Sequence, residues 1–249
     1  MPITPTEKIW MNGELVPWAD AQVHVLTHTL HYGTGVFEGV RAYETERGPA
    51  VFRLTEHIQR LFDSARIMMM EIPYTVDELV QATKDTVRST GLPSCYIRPI
   101  AYYGYGEMGL NTLPCTVDVS IACWPWGAYL GADAVSKGVR MKISSWTRHD
   151  HNTMPPLSAG ALPGITQDSV TTIARDHGFE VRVDDLSRSD LYVAEEMFVC
   201  GTAAEVSAVN SVDDRAIPCP GPMTEVIAAE YAKAVRGQID KYKDWCELV

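Results

Sequence analysis

Apolar and polar positions along this chain repeat at two different periods, and the switches between them mark its elements. Ile9-Trp10-Met11 and Glu14-Leu15-Val16 flank Asn12-Gly13. An Asn-Gly pair between apolar runs predicts a hairpin, because both turn positions take positive φ. From Val36 to Tyr43 the period is two. Phe37, Gly39 and Arg41 fall on one face of an extended segment, and Val36, Glu38 and Val40 on the other. The period then becomes helical: Leu54, Ile58, Leu61, Phe62 and Ala65 form one stripe, with Arg53, Arg60 and Asp63 off it. Thr75 and Glu78 make a capping box that opens a helix from Val76 to about Ser89, stopped by Gly91. Strands near Cys95–Tyr103 and Thr116–Trp124 complete an α+β first half.

Pro125-Trp126-Gly127-Ala128-Tyr129-Leu130-Gly131 reads as a linker. It divides an N-terminal α+β domain over 1–124 from a second domain over 132–249. The second half opens with a strand near Arg140–Trp146 and a proline- and asparagine-rich stretch. A helix from about Thr166 to His177 follows, ended by Gly178, then a strand at Glu180–Val183. A short helix starts at Ser187, and a strand covers Met197–Cys200. Gly201-Thr202-Ala203 turns into a strand at Glu205–Val209, and a last helix runs from about Met223 to Arg236.

With 249 residues, 46% hydrophobic and 21% charged, the chain has the composition of a globular protein with a large core. Its net charge of −11 argues against nucleic-acid and membrane-surface partners, which select a basic face. Met1-Pro2-Ile3-Thr4-Pro5 shows no signal-peptide pattern. The apolar window Val117–Val135 is interrupted by Asp118, Pro125 and Asp133, so no membrane span is expected. Six scattered cysteines without a C-x-x-C pair suit a reducing cytoplasm.

Four short motifs carry possible chemistry. Gly104-Tyr105-Gly106-Glu107-Met108-Gly109 matches G-x-G-x-x-G, but Leu110-Asn111-Thr112-Leu113-Pro114 is a poor start for the helix a dinucleotide site needs. His24, His28 and His31 have helical spacing for a metal, yet Val23–Leu26 alternates like a strand and no carboxylate completes the set, so no metal site is assigned. Gly164-Ile165-Thr166 opens a helix, where backbone N–H groups and a hydroxyl suit a phosphate. Thr166 as a plain N-cap is the alternative. The Gly201-Thr202-Ala203 turn presents successive N–H groups to an anion or simply connects two strands.

Longer motifs carry a family resemblance. His31-Tyr32-Gly33-Thr34-Gly35-Val36-Phe37-Glu38-Gly39-Val40-Arg41, Tyr96-Ile97-Arg98-Pro99, residues 125–131, Leu162-Pro163-Gly164-Ile165-Thr166 and Gly201-Thr202-Ala203-Ala204-Glu205 stand in the order found in the branched-chain amino-acid aminotransferases, enzymes of fold type IV that use pyridoxal 5′-phosphate. The resemblance implies a two-domain α+β fold and a homodimer or higher homo-oligomer. It implies a phosphate cup made by Arg60, Ile165, Thr166 and Thr202. It places the substrate carboxylate on Tyr96, Arg98, Gly201 and the Thr202–Ala203 amides, with Arg98 acting directly or through the loop it orients. It lines the apolar side-chain pocket with Tyr32, Phe37, Gly39, Arg41, Met108 and Tyr129, partly across a dimer interface. The reaction implied transfers the amino group of L-leucine, L-isoleucine or L-valine to 2-oxoglutarate, giving a branched 2-oxo acid and L-glutamate.

One departure from the family's pattern stands out. The Ser144–Pro156 stretch and the Leu157–Thr166 stretch each resemble a family signature, and here they abut. In the family several tens of residues separate them. That stretch carries the lysine that holds the cofactor covalently, a tyrosine on its phenolic oxygen and a glutamate on its ring nitrogen. None of the seven lysines (Lys8, Lys84, Lys137, Lys142, Lys233, Lys241, Lys243) stands at a matching position. The expectation is a transaminase by descent, with an incomplete second domain, exposed apolar surface and impaired catalysis. The alternative is a non-catalytic binder of pyridoxal or pyridoxamine phosphate, or a defective deletion product; a third reading is an ordinary transaminase whose polypeptide carries the residues that this sequence omits.

Overall fold

The computed structural model describes residues 3–127, 129–131, 133–146 and 162–249. The junction between residues 156 and 157, and the His149-Asp150-His151 run, lie outside the described residues. The chain divides into two compact units. One comprises Met1–Trp126 with Asp240–Val249, the other Gly127–Ile239. The boundary falls inside the expected linker. The sequence pattern assigns residues 240–249 to the second domain; strand pairing joins them to the first.

The first unit contains β1 (Lys8–Met11), β2 (Glu14–Pro17), α1 (His28–Tyr32), β3 (Gly35–Phe37), β4 (Val40–Thr45), β5 (Gly48–Phe52), α2 (Leu54–Ile67), α3 (Val76–Thr90), β6 (Cys95–Tyr103) and β7 (Val117–Trp124). The β1–β2 hairpin turns at Asn12 (φ 49°) and Gly13 (φ 100°), as the Asn-Gly pair predicts. The capping box of α3 forms: Thr75 accepts from the Glu78 amide, and Glu78 accepts from the Thr75 amide. α2 and α3 pack against the sheet, and Leu54, Ile58, Leu61 and Leu79 are fully buried with Val40, Ile97 and Ile121. Burying each such side chain contributes on the order of 1.5–3 kcal/mol.

The expected single strand over Val36–Tyr43 is two strands. β3 and β4 both pair with β6 in one continuous register, Phe37 opposite Ile100 and Val40 opposite Ile97. Glu38 and Gly39 interrupt them. Glu38 donates its N–H to the Pro99 carbonyl at 2.9 Å, but Pro99 has no N–H to return. The ladder breaks there while the alternation of faces carries through.

The second unit contains α4 (Ala134–Lys137), β8 (Val139–Met141), α5 (Ile165–Asp176), α6 (Arg188–Val193), β9 (Phe198–Gly201), β10 (Glu205–Val212), β11 (Arg215–Ala216) and α7 (Pro222–Ala234). β10 pairs antiparallel with β9 and β11 and parallel with β8. α5 packs on α7 and β9, and α7 on β10. After Ile239 the chain returns to the first unit, where β12 (Cys246–Leu248) pairs antiparallel with β5. The expected strand at Glu180–Val183 is absent. Its alternation is intact, but it makes no ladder with any described strand, and a strand exists only by its ladder. A cavity of about 520 Å³ opens here, lined among others by Val170, Ala174, Phe179, Val181, Leu191 and Ile227. Val183, Leu186 and Val193 beside it are exposed.

Candidate functional site

In the first unit the candidate residues form two groups. One is built on the ladder of β3, β4 and β6. Its register puts Phe37, Gly39 and Arg41 on the face shared by Tyr96 and Arg98, as the period-two pattern predicts. Tyr96 is buried, its ring stacked on Trp126 with centroids 4.3 Å apart. Its hydroxyl accepts from Arg98 Nη2 at 2.9 Å. The Arg98 guanidinium lies 4.4 Å from the centre of the Phe37 ring. Arg98 Nε is buried and meets no acceptor among the described residues. A buried guanidinium nitrogen without an acceptor costs desolvation that an anion would recover. Gly39 is required here, because a β-carbon at that position would collide with the Tyr96 hydroxyl. Arg41 lies opposite Tyr96 in the ladder, its guanidinium 4.7 Å from the Tyr43 ring centre.

The second group gathers on Glu38, whose side chain alternates to the other face. Arg60 of α2 pairs with it side-on, Nε to Oε1 at 2.6 Å and Nη2 to Oε2 at 2.7 Å. His57, one turn earlier on α2, places Nδ1 2.9 Å from Oε2. Glu38 and His57 are 3% and 2% exposed, respectively. Burial pushes the Glu38 carboxyl upward, but the hydrogen bonds from Arg60 and His57, with the charge of Arg60, outweigh it and hold the group below the ordinary carboxylate range. Burial lowers His57 more than Glu38 raises it, so the imidazole is neutral at pH 7. Glu38 and His57 were not among the sequence-predicted site residues. The available signal was an acid on the apolar face of a strand, which demands buried partners.

Tyr32 ends α1 and packs on His28 with ring centroids 4.5 Å apart; it is exposed, as is Met108. In the second unit, α5 begins at Ile165, with Gly164 as an extended N-cap that makes no side-chain capping bond. Thr166 is therefore the second helical residue, not the cap, and it is buried. A helix start without a side-chain cap, next to a buried hydroxyl, suits a phosphate. Gly201, Thr202 and Ala203 lie at the β9–β10 connection, where Gly201 pairs with Glu205, and a β-carbon on Gly201 would meet open space. Tyr129 is exposed.

The three histidines serve local structure. His28 bonds Thr34 Oγ1 (2.8 Å) and the Gly109 carbonyl (2.7 Å), and His31 bonds the Val25 carbonyl (2.9 Å). The Leu26 amide donates to His24 Nδ1 at 3.1 Å. Residues 23–26 form no strand, and His28 opens the short α1 instead. The Gly104–Gly109 segment leads into a loop rather than a helix, which removes the dinucleotide reading.

The lysines are at the surface or ion-paired. Lys84 pairs with Glu247, Lys137 with Asp133, Lys142 with Asp214 and Lys233 with Glu230. Lys8, Lys241 and Lys243 are exposed. These settings lack the apolar pocket that activates a lysine as a nucleophile.

A family model described as amino-transferase class IV matches residues 35–154 and, in a second stretch, 135–212. The chain belongs to the class IV aminotransferases. The branched-chain-amino-acid aminotransferase of Pseudomonas aeruginosa is 40% identical over 297 aligned positions, covering 97% of each chain. Since 297 aligned positions exceed the 249 residues here, at least 48 have no counterpart in this chain. The crystal structure of the Escherichia coli branched-chain amino acid aminotransferase superposes with a TM-score of 0.94 at 37% identity, covering 98% of this chain and 99% of that one. A branched-chain aminotransferase from the thermophilic archaeon Thermoproteus uzoniensis, solved with norvaline, gives a TM-score of 0.91 at 33% identity, covering 97% of this chain and 99% of that one. No helix among the described residues is long and apolar enough to cross a membrane.

Proposed function

We propose that this class IV chain carries the substrate and phosphate sites of a branched-chain amino-acid transaminase, with a much reduced capacity for the chemistry. The reaction is transfer of the amino group of L-leucine, L-isoleucine or L-valine to 2-oxoglutarate. The observation that carries the substrate reading is Arg98, whose buried Nε meets no acceptor among the described residues and lies in a group with Tyr96 and the Phe37 ring. A carboxylate satisfies the cation, and Phe37 offers apolar surface to a branched side chain. The family resemblance alone assigns the amides of Thr202 and Ala203 to the same carboxylate, and Gly39, Tyr32, Arg41, Met108 and Tyr129 to the substrate.

The cofactor of this reading is pyridoxal 5′-phosphate, which supplies an electron sink for loss of the substrate α-proton. The donor chemistry of the residues present suits its phosphate. In the second unit Ile165, Thr166 and Thr202 offer N–H and hydroxyl donors, and in the first Arg60 offers a guanidinium; their assignment to one phosphate rests on the family resemblance. They do not fit its reactive end, because every lysine is paired or at the surface, and no proton transfer is derived through it. The same finding favours a second reading, a binder of pyridoxal or pyridoxamine phosphate without turnover. In either case the assembly proposed is a homodimer in the cytoplasm.

The test is transaminase activity with L-leucine and 2-oxoglutarate on a preparation whose intact mass is verified as 27.6 kDa. Activity lower than that of the Pseudomonas aeruginosa relative by several orders of magnitude supports impairment. Comparable turnover at that mass refutes it. Pyridoxamine phosphate binding without turnover selects the second reading.

A further inference from the structure

We infer that Glu38 and His57 are positioning residues that hold Arg60 in a fixed orientation for a phosphate monoester; this rests on the assignment of Arg60 to the phosphate. Arg60 engages Glu38 through Nε and Nη2, two of the five N–H donors of a guanidinium. Side-on pairing of this kind fixes the plane of the group and turns the remaining donors away from the carboxylate. An arginine on a helix surface otherwise samples many rotamers, and ordering it at the moment of binding costs affinity.

Glu38 is itself held on three sides. Its backbone N–H is bonded to Pro99, Oε2 meets His57, and the ladder on either side keeps one register. The ladder break at Pro99 therefore places a carboxylate inside the first unit, and α2 brings His57 and Arg60 to it from one helix face, three residues apart. The arrangement is nearly dry: the Arg60 side chain is only 16% exposed. A neutral His57 donating to Glu38 leaves one negative and one positive charge, so the cation is compensated in its free state. Fixed orientation, rather than excess charge, is what the network adds to anion binding.

The experiment measures binding of pyridoxamine 5′-phosphate, and of pyridoxamine without the phosphate, by tryptophan fluorescence on the full chain. Variants are Glu38→Gln, His57→Asn and Arg60→Ala, with circular dichroism and Tm as folding checks. Glu38→Gln keeps the shape of the side chain and removes its charge. The expected result is at least tenfold weaker binding of the phosphorylated ligand, with binding of pyridoxamine unchanged, and a smaller loss of the same kind for His57→Asn. A fall in Tm with undiminished phosphate discrimination in both variants overturns the inference and leaves Glu38 a purely structural acid. So does an equal loss for both ligands. If Arg60→Ala leaves phosphate discrimination intact, the phosphate assignment fails first; if only Arg60→Ala removes it, the positioning role alone fails. Should Glu38→Gln not fold, His57→Asn decides by the same comparison.

Discussion

The hydroxyl of Tyr96 occupies the space that a β-carbon on Gly39 would need. Gly39 lies in the break between β3 and β4, Tyr96 on the neighbouring β6, and the hydroxyl that fills this space also accepts from Arg98. Glycine at position 39 is thus tied to the placement of two other candidate residues. Gly39→Ala is expected to cost about 1–3 kcal/mol through crowding. It should also rotate Tyr96 off its stack on Trp126. Near-ultraviolet circular dichroism and Tm would register both changes. A variant with unaltered aromatic signals would show that Tyr96 is not held as described.

The second prediction concerns pH. His57 is buried, and its folded pKa lies below the ordinary 6.5. As pH falls below about 6.5, the unfolded chain takes up a proton there that the folded chain does not, so stability falls with pH. Glu38 adds a loss of the same sign at lower pH. Its folded pKa lies below the ordinary 4.5, so the stability it contributes is present above 4.5 and lost as pH falls through the folded value. Tm measured from pH 8 to 5 should decline more steeply in the wild type than in His57→Asn. Parallel profiles would mean that the pKa of His57 does not differ between the folded and unfolded chain.

These two sites differ in how far the sequence made them visible. The alternation from Val36 to Val40 assigned every side chain to its face, because the pleat depends only on local backbone period. The break at Glu38-Gly39 was not visible locally; its cause is Pro99, far away on β6. His57 was equally hidden, since its partner lies nineteen residues earlier in the chain and a helical stripe says nothing of a carboxylate reaching it. The phosphate and carboxylate candidates at Thr166 and Thr202 were legible only through long motifs, because a glycine turn before a helix is common. The strand expected at Glu180–Val183 failed for a non-local reason, since it makes no ladder with any described strand. The return of β12 to β5 had no local signal at all.

That unpaired segment leads to the third prediction. Val183, Leu186 and Val193 are exposed beside a cavity of about 520 Å³. Apolar surface of this kind binds amphiphilic dyes and promotes association. The chain is expected to bind anilinonaphthalene sulfonate in its folded state and to self-associate as concentration rises. Val183→Lys with Leu186→Glu should reduce both while changing stability by no more than about 0.5 kcal/mol, as exposed substitutions do. Dye binding that persists in the double variant would place the apolar surface elsewhere.

The last prediction separates binding from bonding. Phosphate recognition needs backbone N–H groups, hydroxyls and a guanidinium, and all of these are present. Covalent attachment needs a deprotonated amine aimed at the cofactor, and here the lysines are ion-paired or exposed. Lys142 is closest in sequence to the junction of the two family signatures, but it is 75% exposed and its Nζ lies 3.5 Å from Asp214. Borohydride reduction in the presence of pyridoxal phosphate, followed by peptide mass mapping, is therefore expected to yield no stoichiometric pyridoxyl-lysine. Reversible binding measured in parallel should be lost in Arg60→Ala. A single fully labelled lysine would identify a substitute for the missing one, and the chain would then have to be regarded as a competent transaminase with a relocated amine.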